Sequence, residues 1–124
     1  NTTYDGLIRI LLANYTFHRD TRTKIAINKC DQLAWYIVKL SLAFSGYRLR
    51  KSEINYQRLI KTIKQIERFA GVDLTQLRYA IDKLREKRTR QRVVFATQIV
   101  KIAIRELIVK AMETCKEELE EKTI

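Results

Sequence analysis

The chain has 124 residues, 46% of them hydrophobic, and 25 Lys and Arg against 14 Asp and Glu give it a formal net charge of +11. This length and composition exclude a disordered polymer and predict one domain, residues 1–124, with a buried core. There is no proline and only three glycines. Because tight turns between strands need such residues, the sequence predicts an all-α fold, a compact bundle of about five helices.

The first predicted helix covers about residues 4–15, where apolar residues recur at intervals of three and four. After a polar joint, a second helix is predicted from about Thr23 to Phe44. It is apolar around most of its circumference, so we expect it to pack against neighbours on several sides. Gly46 is predicted to end it.

The third predicted helix begins after Ser52, a favourable N-cap, and runs to about Ala70. Gly71 then offers a left-handed C-terminal stop. Asp73 is predicted to cap the fourth helix, and Gln76, three residues later, would complete a capping box.

The fourth predicted helix extends to about Lys87 or Arg88, and the fifth covers about Arg90 to Glu120. The sequence leaves open whether the two form one rod or bend at Thr89, which is able to cap a new helix. An apolar stripe with flanking apolar residues makes the fifth helix the expected centre of the core. The stripe comprises Val93, Ala96, Val100, Ile104, Leu107, Ala111 and Cys115, and the flanking residues are Val94, Phe95, Ile99, Ile108 and Met112.

Residue types that carry chemistry are scarce. Two widely spaced cysteines, Cys30 and Cys115, match neither a zinc pattern nor a disulfide framework, so we expect reduced, buried thiols, as in an intracellular protein. The single histidine, His18, has no obvious carboxylate and nucleophile partners in the sequence with which it would form a catalytic group, and no glycine-rich phosphate loop occurs. We therefore expect no enzyme activity, no metal and no cofactor.

The longest apolar stretch, residues 93–112, contains four charged residues, which argues against a membrane span. No signal peptide is evident, and we expect a cytoplasmic protein. The start at Asn1 is consistent with a fragment, a processed chain or part of a larger protein.

The excess of positive charge lies in the first 112 residues. Residues 113–124 contain five acids and two bases, which leaves 23 bases and 9 acids, a net charge of +14, on residues 1–112. Because like charges repel one another in a compact domain, this excess indicates an anionic partner. Nucleic acid is the first candidate, and an acidic lipid or protein is the second.

Three clusters of basic residues form the predicted nucleic-acid-binding surface. One is a strip on the third helix, within an arc of about 120° opposite its apolar face. Its members are Arg58, Lys61, Lys64 and Arg68. The joint before that helix carries Arg48, Arg50 and Lys51. The region between the fourth and fifth helices carries Lys83, Arg85, Lys87, Arg88, Arg90 and Arg92. A secondary group comprises Arg19, Arg22 and Lys24, with Tyr15, Phe17 and Tyr47 as candidates for stacking on a base.

Phosphates require only spaced cations, and the planar guanidinium of arginine suits them well. No helix-turn-helix, RNP or zinc-finger motif occurs, so sequence-independent backbone recognition is the favoured interpretation. A solvated helix face, a polar turn and a nuclear localisation signal remain alternatives for the individual clusters.

The chain resembles the small helical subunit of CRISPR effector complexes of the Cascade kind, which in some subtypes corresponds to the C-terminal part of the large subunit. The resemblance rests on size, helices, basic character and three stretches: DQLAWYIVKLSLAF, NYQRLIKTIKQIERF and RVVFATQIVKIAIREL. It implies a non-catalytic subunit that holds target and displaced strands by their backbones. The implied partners are DNA, guide RNA, the large and backbone subunits, and copies of itself.

Two other classes of protein remain open. One is a structural adaptor whose cations bind an acidic protein partner. The other is a helical accessory domain of a primase, helicase or polymerase. A role at a membrane surface is disfavoured, because the basic faces lack adjacent exposed aromatic residues.

Overall fold

A computed structural model describes residues 29–123 of the chain. These residues are 89% helical, with four helices and no strand, so the all-α prediction is confirmed, although the count is four rather than about five. The predicted helix over residues 4–15 and the joint after it lie outside the described residues. The four helices are α1 (Lys29–Leu49), α2 (Glu53–Ala70), α3 (Thr75–Glu86) and α4 (Arg90–Thr123).

The chain divides into two compact units. The first comprises Asn1–Val38 and Arg105–Ile124, and the second comprises Lys39–Ile104. In the described part of the first unit the buried apolar residues are Leu33, Ala34, Ile37, Val38, Leu107, Ile108 and Ala111. In the second they are Leu40, Phe44, Tyr47, Tyr56, Leu59, Ile63, Ile66, Ala70, Leu74, Leu77, Ala80, Ile81, Leu84, Ala96, Val100, Ala103 and Ile104. The expectation of a single domain over residues 1–124 stays a prediction.

Helix α2 begins and ends where its sequence predicts. The Ser52 side chain accepts a hydrogen bond from the Asn55 backbone N–H at 3.1 Å, which satisfies one of the donors left free at a helix start. Gly71 has φ 66°, and its N–H donates to the Glu67 carbonyl at 3.0 Å. A residue with a β-carbon is strained in this left-handed conformation, so glycine suits the position.

The end of α1 was predicted wrongly, because the helix passes through Gly46 and continues to Leu49. The next residue, Tyr47, is only 1% exposed. Burying an aromatic side chain stabilises the fold by about 2 kcal/mol. A glycine in a helix costs about 1 kcal/mol. Packing of Tyr47 therefore carries the helix past the glycine.

The joint between α3 and α4 shows whether the fourth and fifth predicted helices form one continuous helix. Helix α3 ends at Glu86, and Lys87 has an extended backbone with φ −153° and ψ 121°. The Thr89 hydroxyl accepts a hydrogen bond from the Arg92 N–H at 3.2 Å, so Thr89 caps α4 as expected. The two helices are therefore separate, and the break between them lies among the arginines of the basic run.

Helix α3 begins at Thr75, later than a capping box of Asp73 and Gln76 would place it. The Asp73 carboxylate accepts a hydrogen bond from the Thr75 N–H at 2.9 Å, and it also accepts one from the Thr75 hydroxyl. These bonds, with the hydroxyl contributing most, lower the pKa of Asp73 from its ordinary value. Asp73 thus orders the start of α3 through a turn rather than through a capping box.

Helix α4 buries the centre of its predicted stripe and exposes some of the flanks. Ala96, Val100, Ile104, Leu107 and Ala111 are buried, as predicted. The side chains predicted to widen the buried face are about half exposed instead: Val94, Phe95 and Met112. At 100° per residue these three lie about 120–140° around the helix from the stripe centre, beyond the face that packs.

Cys30 and Cys115 form a disulfide within the first unit, with their Cα atoms 4.9 Å apart. The prediction of reduced, buried thiols is wrong, and both residues are only half-buried. The bond joins residues 85 positions apart in sequence. The disulfide could not be predicted from this spacing, because only the tertiary fold brings the start of α1 to the later part of α4.

Candidate nucleic-acid interface

Two joints of the second unit lie side by side, the joint between α1 and α2 and the joint between α3 and α4. The Arg88 guanidinium donates a hydrogen bond to the backbone carbonyl of Arg48. Nearby, Nη2 of Arg85 lies 2.8 Å from each carboxylate oxygen of Glu53. Two basic clusters that are distant in sequence therefore form one surface, which we call the joint surface, comprising residues 48–54 and 85–90.

The first of these joints is held by its own hydrogen bonds. The Arg50 N–H donates to the Gly46 carbonyl, and the Ser52 N–H donates to the Arg50 carbonyl, both at 2.9 Å. The Asn55 side-chain amide donates to the Arg50 carbonyl at 3.0 Å. With its backbone groups paired in this way, the joint presents Arg50 and Lys51 from a fixed backbone.

Several predicted binding residues are instead used within the fold. Nη1 of Arg92 donates to the Lys83 carbonyl at 2.7 Å, linking α4 to the end of α3. The Lys83 ammonium lies 3.3 Å from the Glu86 carboxylate and 5.4 Å from the centroid of the Tyr79 ring. The ion pair reduces the charge that Lys83 offers to a ligand, whereas the bond to a neutral carbonyl leaves the charge of Arg92 in place and holds its half-buried side chain against the end of α3.

Arg85 is the most fully engaged of these residues. Besides binding Glu53, its guanidinium lies 4.0 Å from the centroid of the Tyr56 ring, a cation–π contact. Tyr56 donates its hydroxyl hydrogen to Asp82 at 2.5 Å. Burial raises the pKa of Tyr56, and the bond to Asp82 raises it further.

An open groove of about 450 Å³ lies over Arg85. It is lined by Tyr56, Asp82, Arg85 and Glu86. Two of these four residues are acids, and the cation is already paired. The groove is therefore poorly suited to a phosphate.

Five predicted residues of the joint surface are exposed and have no acidic partner among residues 29–117, whose side chains the structure describes. We call them the joint cations: Arg48, Arg50, Lys51, Lys87 and Arg90. The Arg88 side chain is also exposed, and its bond to a neutral carbonyl leaves its charge uncompensated. The break at residues 87–89 places Lys87, Arg88 and Arg90 at a joint instead of distributing them around one straight helix.

The basic strip on α2 is exposed as predicted. Arg58, Lys61, Lys64 and Arg68 all face solvent, whereas the opposite side of the helix is buried. The buried side includes Thr62, whereas Ile60 is only half-buried. Glu67, the one acid near the strip, binds Arg78 of α3 at 3.2 Å. Within the described part of the chain, the strip therefore has no acidic partner.

Tyr47, proposed as a stacking residue, is a core residue, and that prediction is corrected. Its ring is 1% exposed and lies 6.0 Å from the Tyr56 ring, tilted by 57°. Burial raises the pKa of Tyr47. Stacking on a base would require the ring to leave the core. The remaining secondary residues, Arg19, Arg22 and Lys24, lie outside the described residues, as do Tyr15, Phe17 and His18.

Among the exposed apolar and aromatic residues, three that lie beside the predicted basic clusters were not predicted to be exposed. Leu49 is 88% exposed and Ile54 is 72% exposed, one on each side of Arg50 and Lys51. The third is Tyr79 on α3, which lies under the Lys83 ammonium. The exposure of Ile54 could have been predicted from the sequence, because Ile54 lies four residues before Arg58 and therefore on the same helix face.

The described residues thus define an all-α, basic protein with a cationic joint surface and a cationic helix strip. Among the described side chains, those of residues 29–117, no three His, Cys, Asp or Glu are grouped so that they could hold a metal ion. None of the described helices combines the length and apolarity that crossing a membrane requires. No family model, curated protein or solved structure matches the chain.

Proposed function

We propose that this protein is a non-catalytic, sequence-independent nucleic-acid-binding subunit that binds phosphates with its joint surface. The observation that carries the proposal is the meeting of two basic joints that supply five exposed cations with no acidic partner in the described part of the chain. Cations held on a fixed backbone pay little ordering cost when they bind a phosphate chain, and each contact releases a counterion. The α2 strip would extend the same surface along the helix.

The complex to which the protein belongs is proposed only from the resemblance of the sequence to the small subunit of Cascade-type complexes. In that setting the chain belongs to an RNA-guided effector complex of the CRISPR Cascade kind and holds target and displaced strands by their backbones. Its protein partners would be the large and backbone subunits and copies of itself, with no enzymatic role, cofactor or membrane. The bond between Cys30 and Cys115 weighs against the proposed cytoplasmic location in most organisms. Hyperthermophiles are the exception, because their intracellular proteins are often rich in disulfides.

The test is a fluorescence anisotropy titration of a labelled oligonucleotide of mixed sequence. One variant replaces all five joint cations with glutamine, and a second replaces the four basic residues of the α2 strip. We expect the joint variant to bind roughly a hundredfold more weakly at 0.1 M salt and the strip variant to lose less. An unchanged affinity in the joint variant would contradict the proposal.

The same titration with an acidic polypeptide separates nucleic acid from a protein partner. Polyglutamate carries carboxylates in place of phosphates and has no bases. Equal, tight binding of polyglutamate and oligonucleotide would favour the adaptor function instead. We expect the oligonucleotide to bind more tightly, because guanidinium groups bind phosphates in bidentate fashion along a chain of closely spaced charges.

A further inference from the structure

We infer that the joint surface prefers single-stranded nucleic acid to duplex, because Leu49 and Ile54 offer apolar contacts that only unstacked bases accept. The inference rests on the proposed function and adds the class of strand. Its starting observation is the position of the two most exposed large apolar side chains of the described residues. They flank Arg50 and Lys51 in the short joint between α1 and α2.

Both side chains are held outward by the local fold. Leu49 is the last residue of α1, and Ile54 lies in the first turn of α2. The backbone between them is fixed by the Ser52 cap and by the Asn55 amide, which donates to the Arg50 carbonyl at 3.0 Å. The backbone that presents these two exposed side chains is therefore ordered by hydrogen bonds within the joint itself.

A partner that covers these residues must combine negative charge with exposed apolar faces. In a duplex the phosphates are accessible, but the base faces are stacked against one another. In a single strand the bases splay out and pack on protein side chains, aromatic or apolar, while the backbone follows a groove of cations. Between Leu49 and Ile54 the joint carries two cations, Ser52 and Glu53, and the Glu53 carboxylate is bound by Arg85. Two cations that have no acidic partner among the described side chains, set between two exposed apolar side chains, fit the second arrangement.

An anionic membrane surface shares this chemistry in part. A helix that lies in a membrane interface presents a continuous apolar face along its length. The outward face of α2 carries Arg58, Lys61 and Arg68 after Ile54, and no second large apolar residue follows it there. Two isolated apolar side chains suit individual bases better than a lipid surface.

The experiment compares a labelled 20-nucleotide single strand with its duplex, using the full chain and the Leu49→Ala/Ile54→Ala variant. We expect the variant to bind the single strand roughly tenfold more weakly and the duplex within about twofold of the original chain. The matched control is Leu42→Ala, an exposed leucine one heptad before Leu49, which should change neither affinity. Circular dichroism melting confirms that each variant is folded before binding is compared.

The possible outcomes distinguish failure of the strand preference from failure of the proposed nucleic-acid-binding function. If the original chain binds both forms and the double variant binds each as tightly, or weakens on both equally, the strand preference is wrong and the proposed function stands. If the original chain binds neither form, both fail. Binding to vesicles of phosphatidylglycerol that depends on Leu49 and Ile54, with single-strand binding unaffected, would overturn the inference in favour of a membrane surface.

Discussion

Arg85 binds Glu53 across the two joints, with Nη2 of the guanidinium 2.8 Å from both carboxylate oxygens. The hydrogen bond from the Gln57 side chain and the contact with Arg85 lower the pKa of Glu53. A residue at the centre of the basic run is thus neutralised within the fold, while Lys87 and Arg90 close to it have no acidic partner in the described part of the chain. This division between residues that build the joint surface and residues that offer charge underlies the first prediction.

Removing the Arg85–Glu53 pair as a unit should leave nucleic-acid affinity almost unchanged. The variant Arg85→Gln/Glu53→Gln keeps the net charge and deletes an ion pair that offers little field to a phosphate, so we expect a dissociation constant within about twofold. Arg90→Gln, which removes an unpaired cation, should weaken binding roughly three- to tenfold. Anisotropy titrations at one fixed salt concentration compare the two. A larger loss in the paired variant would show that Arg85 contacts the ligand.

Stability should depend on pH through Glu53. The pKa of Glu53 is held below its ordinary value of 4.5, so the folded chain binds fewer protons than the unfolded chain in this range. The stabilisation that the Glu53 carboxylate provides is therefore complete above the pKa of the unfolded chain, and it is lost as the pH falls through the pKa of the folded chain. Melting temperatures of the original chain and Glu53→Gln should differ by a constant amount above about pH 5.5 and converge below pH 4.5. A difference that is independent of pH would contradict the assignment.

The two core tyrosines should respond oppositely to removal of their hydroxyl groups. The Tyr47 hydroxyl is buried and has no hydrogen-bond partner in the described structure, so Tyr47→Phe should be neutral or stabilising by about 1 kcal/mol. The Tyr56 hydroxyl donates to Asp82, so Tyr56→Phe should cost about 1 kcal/mol or slightly more. Urea unfolding measures both. Strong destabilisation by Tyr47→Phe would mean that its hydroxyl has a partner.

Reduction of the disulfide should destabilise the chain substantially. A bond that closes a loop of this length restricts the unfolded chain, and such bonds stabilise by about 2–4 kcal/mol. We expect a lower unfolding midpoint in the presence of a phosphine reductant. The control is Cys30→Ala/Cys115→Ala, which should unfold at one midpoint with or without reductant. If the unfolding midpoint of the original chain is the same with and without reductant, the result would argue against the disulfide.

Local signals predicted much of the described fold. Ser52 and Gly71 bound α2 correctly because a cap and a left-handed glycine act within a few residues of chain. The amphipathic face of α2 was equally readable, since helical spacing alone separates Ile63 and Ile66 from the basic strip.

Features that depend on tertiary contacts were not predictable in this way. The burial of Tyr47 carries α1 past Gly46, and no local pattern reveals that burial. The Cys30–Cys115 bond and the pairing of Arg85 with Glu53 join residues far apart in sequence. The composition of the joint surface was therefore visible in the sequence, but its division into paired and unpaired cations was not.

The salt dependence of single-strand binding tests the central claim most directly, because it counts the phosphates that cations contact. Arg50→Gln/Lys51→Gln should reduce the magnitude of the slope of log affinity against log salt by about 1.4, at roughly 0.7 for each lost contact. Lys101→Gln/Arg105→Gln removes the same charge from exposed positions of α4 and should leave the slope nearly unchanged. A slope that is unaltered in the joint variant, or that falls equally in both, would contradict the claim that the joint cations bind the phosphate backbone.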